Sequence, residues 1–142
     1  MKQQILIFLI TILSSISASG KVVLPSVFSD NMVLQQRSDV AIWGWASAGE
    51  TLRIVCSWNS TDTLKVKADN TAAWRTTMKT FGAGGPYTIA IFGSSNVQLR
   101  NVMLGEVWVC SGQSNMEWSV NAGITVSQDE IDKADNPNIR IF

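Results

Sequence analysis

Leu64-Lys65-Val66-Lys67-Ala68-Asp69-Asn70-Thr71 is the stretch that sets the fold class. Leu64, Val66 and Ala68 alternate with Lys65 and Lys67, so an extended chain turns one face to a core and the other to water. Asp69-Asn70-Thr71 then reverses the chain, because short polar side chains can bond their own turn backbone. The same grammar repeats on both sides. Val40–Trp45 is strand-like and Ser47–Glu50 turns it; Leu52, Ile54 and Cys56 alternate with Arg53, Val55 and Ser57 before a turn at Asn59–Asp62. Trp74–Met78 extends, Gly82–Pro86 breaks, Tyr87–Phe92 extends again, and Gly93–Asn96 leads to Val97–Leu99. Short strands between turn signals at this spacing predict an antiparallel β-sandwich, jelly-roll or immunoglobulin-like, over residues 20–101.

The character changes at Val102. Met103–Cys110 is nearly continuously apolar, as expected of a strand covered on both faces. Ser127 with Glu130 three residues on fits a capping box, so a short helix is expected there. Asn136-Pro137-Asn138 stops it, and Ile139–Phe142 reads as the first residues of another strand. Strand, turn, helix and strand over 102–142 are the opening of an α/β domain. Two strands alone have nothing to bury their outer face against, so the chain is expected to be a fragment or a truncated product.

The N-terminus carries a different signal. Lys2, the apolar run Ile5–Leu13 and the small residues to Gly20 have the order of a secretory signal peptide, with residues 1–19 removed. The run is too short to span a bilayer, which takes about 20 apolar residues. An exported product is expected, periplasmic, secreted or lumenal, with no membrane anchor after cleavage. In the 142-residue chain, eleven basic and eleven acidic residues cancel. No basic stripe marks a nucleic-acid partner. Cys56 and Cys110 could pair in an oxidising compartment, but their apolar, alternating surroundings favour two separately buried thiols. Neither has a His or Cys at metal-ligand spacing, so no metal site and no cofactor are expected.

Cys110-Ser111-Gly112-Gln113-Ser114-Asn115-Met116-Glu117-Trp118 holds the candidate chemistry. A serine between a buried strand and a helix is fixed in place; Gly112 permits a tight path, and the helix presents free N–H groups. Those groups favour the negative charge that develops on an ester carbonyl oxygen under attack, and the N–H of Ser114 could be one oxyanion donor. The pattern is not the G-x-S-x-G elbow. A capping serine at a turn has the same local sequence, so spacing alone leaves both roles open. The chain contains no histidine. Glu117 is too weak a base at ordinary carboxylate acidity to replace one.

Several ordered blocks resemble the sialate O-acetylesterase family of the SGNH hydrolases. Leu24-Pro25-Ser26-Val27-Phe28-Ser29-Asp30-Asn31-Met32-Val33-Leu34-Gln35 looks like its N-terminal signature. Trp43–Glu50 and Gly84–Tyr87 fit its accessory β-domain, Gly105–Trp118 its catalytic block, and Pro137–Phe142 the entry to its next strand. The resemblance implies removal of acetyl esters from sialic acids or related sugars. Ser114 matches the nucleophile, with its N–H as an oxyanion donor and Gly112, Gln113, Asn115 and Trp118 in supporting binding roles. The remaining oxyanion donors, the acid and the histidine base of that family would lie beyond Phe142, so these 142 residues are expected to be inactive alone.

Two other readings stay open. One is a secreted β-sandwich that binds glycans or docks to a partner, with a vestigial catalytic segment; the other is an esterase completed by a second chain. Trp43, Trp45, Trp58 and Trp74 could form a sugar-stacking surface, but tryptophans at alternating strand positions more often fill a core, with Trp58 the exposed one. Asp129, Asp132 and Asp135 read as a solvated helix face. Oligomeric state is not encoded in any feature of the sequence.

Overall fold

The computed structural model describes residues 20–119, 123 and 125–141. The expected signal peptide lies outside them. Seven strands follow in order: β1 (Val33–Gln35), β2 (Asp39–Trp45), β3 (Thr51–Cys56), β4 (Thr63–Lys67), β5 (Ala73–Lys79), β6 (Gly84–Phe92) and β7 (Val97–Gly105). A 3₁₀ turn at Ser57–Asn59 links β3 to β4, another occupies Ser114–Glu117, and α1 spans Gln128–Asp132. The chain is β-rich, and the described residues contain little helix.

The strands form a five-stranded sheet in the order β1-β7-β6-β3-β4 and a two-stranded sheet of β2 and β5. All neighbours are antiparallel except β1 and β7, which run parallel with Gln35 opposite Gly105. The opening stretch behaves as its alternation requires. Lys65 and Lys67 are exposed on edge strand β4, Leu64 and Val66 are half-buried, and Ala68 is buried. Lysines on an edge strand discourage pairing with a further chain. In the turn that follows, Asp69 Oδ1 accepts hydrogen bonds from the N–H groups of Thr71 (2.8 Å) and Ala73 (3.0 Å) and from the Thr71 hydroxyl (2.6 Å). Those bonds, the hydroxyl's foremost, hold the Asp69 carboxyl below the ordinary aspartate range.

One apolar cluster draws on both sheets. Ile42, Trp74 and Met78 come from β2 and β5, while Leu52, Ile54, Ile89, Ile91, Val102 and Leu104 come from β3, β6 and β7. Each fully buried Leu or Ile contributes about 1.5–3 kcal/mol relative to exposure. Gly44 shows how closely the N-terminal segment lies against β2: a Cβ there would lie 2.3 Å from the Val23 carbonyl oxygen and 3.1 Å from the ring of its cross-strand partner Trp74. Its absence lets Val23 and Trp45 exchange two backbone hydrogen bonds of 2.9 Å each.

Three expectations need revision. The break at Gly82–Pro86 is partly strand, since β6 begins at Gly84 and absorbs Pro86 through register shifts between Gly84, Tyr87 and Ile89. Proline lacks the N–H the ladder needs, and an irregular register accommodates that loss. The change expected at Val102 falls inside β7, whose pairing with β6 and β1 continues to Gly105. Val107–Cys110 is not a covered strand: Trp108 is 82% and Val109 91% exposed. Neither it nor Ile139–Ile141 pairs with another strand among the described residues. An apolar run becomes a strand only where a neighbour takes up its backbone groups.

Candidate active site

Beyond β7 the chain passes through Glu106–Cys110 into the Ser114–Glu117 turn, closed by a hydrogen bond from Met116 N–H to the Gln113 carbonyl (2.9 Å). Gly112, Gln113 and Ser114 are exposed, and Trp118 is 57% exposed. The side chains of Asn115 and Glu117 lie outside the described residues. Met116 folds over Gly112, where a Cβ would meet the Met116 Cγ at 2.6 Å. Gly112 therefore allows the turn to close on itself. The expected helix after Ser114 is a single four-residue 3₁₀ turn. That is too short to sum a macrodipole, so the helix-dipole support expected from the sequence is absent from this turn.

The capping box is present. Ser127 Oγ accepts from Glu130 N–H (3.3 Å), Glu130 Oε2 accepts from Ser127 N–H (3.0 Å), and α1 follows. Asp129 meets Lys133 at 2.7 Å on its exposed face. Among the described residues no group of three metal-ligating side chains comes together, and no helix is long and apolar enough to cross a membrane.

The cysteines do not share an environment. Cys56 is buried, its Sγ 3.6 Å from Met78 Sδ, while Cys110 is exposed and both are free. The expectation of two buried thiols holds for Cys56 and fails for Cys110, which leaves β7 before any layer covers it. Burial, with Asp62 adding to it, pushes the Cys56 thiol up to about 12. The tryptophans divide likewise. Trp74 is buried; Trp43 is half-buried with its ring edge-on to Phe28 at 4.6 Å and Arg75 stacked 5.5 Å from its centroid. Trp45 is 46% exposed. Trp58, expected to be exposed, is half-buried against Tyr87 and donates to the Lys79 carbonyl at 3.1 Å.

Sequence reading missed the group that steers the chain towards Ser114. Gln35 Nε2 donates to Glu106 Oε2 (3.0 Å) and Gln36 Nε2 to Glu106 Oε1 (2.7 Å). Gln35 Oε1 accepts from Val107 N–H (2.9 Å), and Gln36 Oε1 from Ala83 N–H (2.8 Å). The two amides, Gln35 foremost and Gln36 next, hold the Glu106 carboxyl below its ordinary range. The Gln35-Gln36 doublet at a strand end was the visible signal. Its partner is 70 residues away from Gln36, beyond the reach of local pattern.

The β-rich fold is similar to that of a solved carbohydrate acetylesterase. Its structure, from Xanthomonas citri, matches with a TM-score of 0.64 and 34% identity, covering 69% of this chain and 22% of that one. No protein-family model matches the chain. Sialate O-acetylesterase of Mus musculus is 32% identical over 126 residues, and that of Rattus norvegicus 34% over 128, each match covering 82% of this chain. The chain belongs to the sialate O-acetylesterase-like family. It spans 23% of the length of these two relatives.

Proposed function

We propose that the chain is the N-terminal part of an exported carbohydrate O-acetylesterase, with Ser114 as nucleophile and acetylated sialic acids or related sugars as substrates. In this reading residues 20–101 and the continuation of β7 form an accessory β-sandwich, and the segment beyond opens an SGNH hydrolase domain. The observation that carries it is the correspondence to acetylesterases over most of the chain, with Ser114 standing exposed on its turn. The pattern of residues 2–20 supports export.

The chemistry divides between what this chain holds and what must join it. Ser114 Oγ attacks the acetyl carbonyl while the Ser114 N–H bonds the developing oxyanion. A histidine from outside these 142 residues takes the hydroxyl proton and returns it to the departing sugar oxygen. Water then releases acetate from the acyl-enzyme. With no histidine in the chain, the purified 142-residue protein should show no Ser114-dependent turnover of an aryl acetate. Completion should restore it: residues 20–142 joined to the remaining length of a sialate O-acetylesterase relative should release acetate from an O-acetylated sialic acid. Replacing Ser114 with alanine should abolish that release; a folded chimera whose release is unchanged by Ser114→Ala refutes the assignment.

A further inference from the structure

The Ser114 segment is gripped at two places, one at each end of the short parallel pair β1–β7. At the C-terminal end, Gln36 N–H donates to the Gly105 carbonyl (2.8 Å), and Gln35 and Gln36 hold both carboxylate oxygens of Glu106. The chain departs there. It returns at Arg140, which lies at the other end. Arg140 Nη1 donates to the carbonyls of Asn31 (2.9 Å) and Asn101, with Met32 O at 3.5 Å, and Nη2 donates to Asn101 Oδ1 (3.1 Å). Asn31 and Asn101 both adopt left-handed backbone (φ 68° and 55°), and Asn101 Nδ2 bonds Asn31 Oδ1 at 2.7 Å. Asparagine tolerates that conformation better than most residues.

The two grips have a common logic. Each places a charged side chain from the Ser114 side onto neutral amides of the β side, and charge-assisted hydrogen bonds of this kind are stronger than neutral ones. Strand β1 is three residues long and the grips lie at or just beyond its ends, at Asn31 and at Gln35–Gln36, so the exit and re-entry points stand about 15 Å apart at ~3.3 Å per residue. Arg140 serves several acceptors with one rigid fork, which a lysine ammonium cannot reproduce.

We propose that β1 and its flanks form a two-ended dock that sets where Ser114 stands, with Glu106 and Arg140 as positioning residues for ester hydrolysis. The positioning role rests on the assignment of Ser114 as nucleophile; the dock itself does not. The test of the dock is a spin-label distance measurement on the 142-residue chain carrying Lys65→Cys, with nitroxides on Cys110 and on the exposed residue 65 of β4. Buried Cys56 stays unlabelled. The parent should give one narrow distance distribution. Glu106→Ala should broaden it about twofold or more, Gln35→Ala should do the same, and the double variant should broaden it by less than the two single effects together, because both break the Gln35–Glu106 contact. With a label moved to Ile141→Cys in a Cys110→Ser background, Arg140→Lys should broaden the corresponding distribution. Thermal midpoints within a few degrees of the parent would show that the sheet is intact. Narrow distributions in the variants, or a parent as broad as they are, overturn the dock. The positioning role is read in the chimera: Glu106→Ala should lower kcat about tenfold with KM little changed, and Glu106→Gln should recover part of it. Broadened distances with an unchanged kcat overturn the positioning role, whereas activity independent of Ser114 overturns the esterase reading and leaves the distance result standing.

Discussion

Replacing Thr80 with valine should destabilise the protein more than its near-identical shape suggests. Thr80 is 2% exposed at the end of β5, where the chain must be joined to the β1–β2 connection. Its hydroxyl lies 2.7 Å from the Gln35 carbonyl and 3.0 Å from the Ser38 carbonyl, and it accepts the Ser38 N–H at 3.0 Å. One hydroxyl proton serves one carbonyl at a time, so two hydrogen bonds are lost, one donated and one accepted. Leaving their backbone partners unsatisfied costs about 1–3 kcal/mol in all, since Gln35 and Ser38 are themselves half-buried. A loss of about 2 kcal/mol lowers the melting temperature by about 8–16 °C in a domain of 60–100 residues. Thr80→Ser keeps the hydroxyl and gives up one methyl, worth about 0.8 kcal/mol. Differential scanning calorimetry of the three proteins should therefore rank parent, then serine, then valine. A valine variant at least as stable as the serine variant would refute the claim that the hydroxyl, not the packing, fastens this junction.

Gly44→Ala should cost about 1–3 kcal/mol in urea denaturation, since its methyl would collide with the Val23 carbonyl and must push the N-terminal segment off β2; an unchanged midpoint would show that segment is not seated there. Glu50 accepts hydrogen bonds from the Ser94 N–H and hydroxyl and from Ser47 N–H, and the Ser94 N–H foremost holds its carboxyl below the ordinary glutamate range. A depressed folded-state value means the contribution is complete above the unfolded glutamate pKa and is lost as pH falls through the folded one. Glu50→Gln should therefore lower stability at neutral pH and converge with the parent in acid, and parallel stability-versus-pH curves would exclude the effect. A thiol-reactive disulfide reagent should modify Cys110 alone in the native protein, with Cys56 reacting only on unfolding; modification of both thiols at equal rates would contradict the burial of Cys56.

What the sequence disclosed and what it hid divide along contact range. β2 through β5 were legible because period-two alternation is a local signal and Asp69 writes its own turn. The Ser127–Glu130 cap was legible for the same reason. Val107–Cys110 misled because hydrophobicity reports a tendency to be covered, while strand formation depends on a partner elsewhere. Cys110 inherited that error. β7 runs past the compositional change at Val102 to Gly105 because its extent is set by pairing with β6 and β1, not by its own composition. Ser114 itself was visible as a turn serine; its elevation to nucleophile came from resemblance, not from geometry. Glu106 and Arg140 carry no local signature, because their partners lie up to 71 and 109 residues away.

The central claim, that Ser114 carries the acyl group, is tested most directly by finding the acetyl group. The chimera completed with a relative's remaining chain would be mixed with an O-acetylated sialic acid, acid-quenched before turnover ends, and mapped by peptide mass spectrometry. The account predicts a transient acetyl ester on the Ser114 hydroxyl, absent in Ser114→Ala together with acetate release. Acetate release that continues in Ser114→Ala, or an acetyl group trapped reproducibly on another side chain, would contradict it.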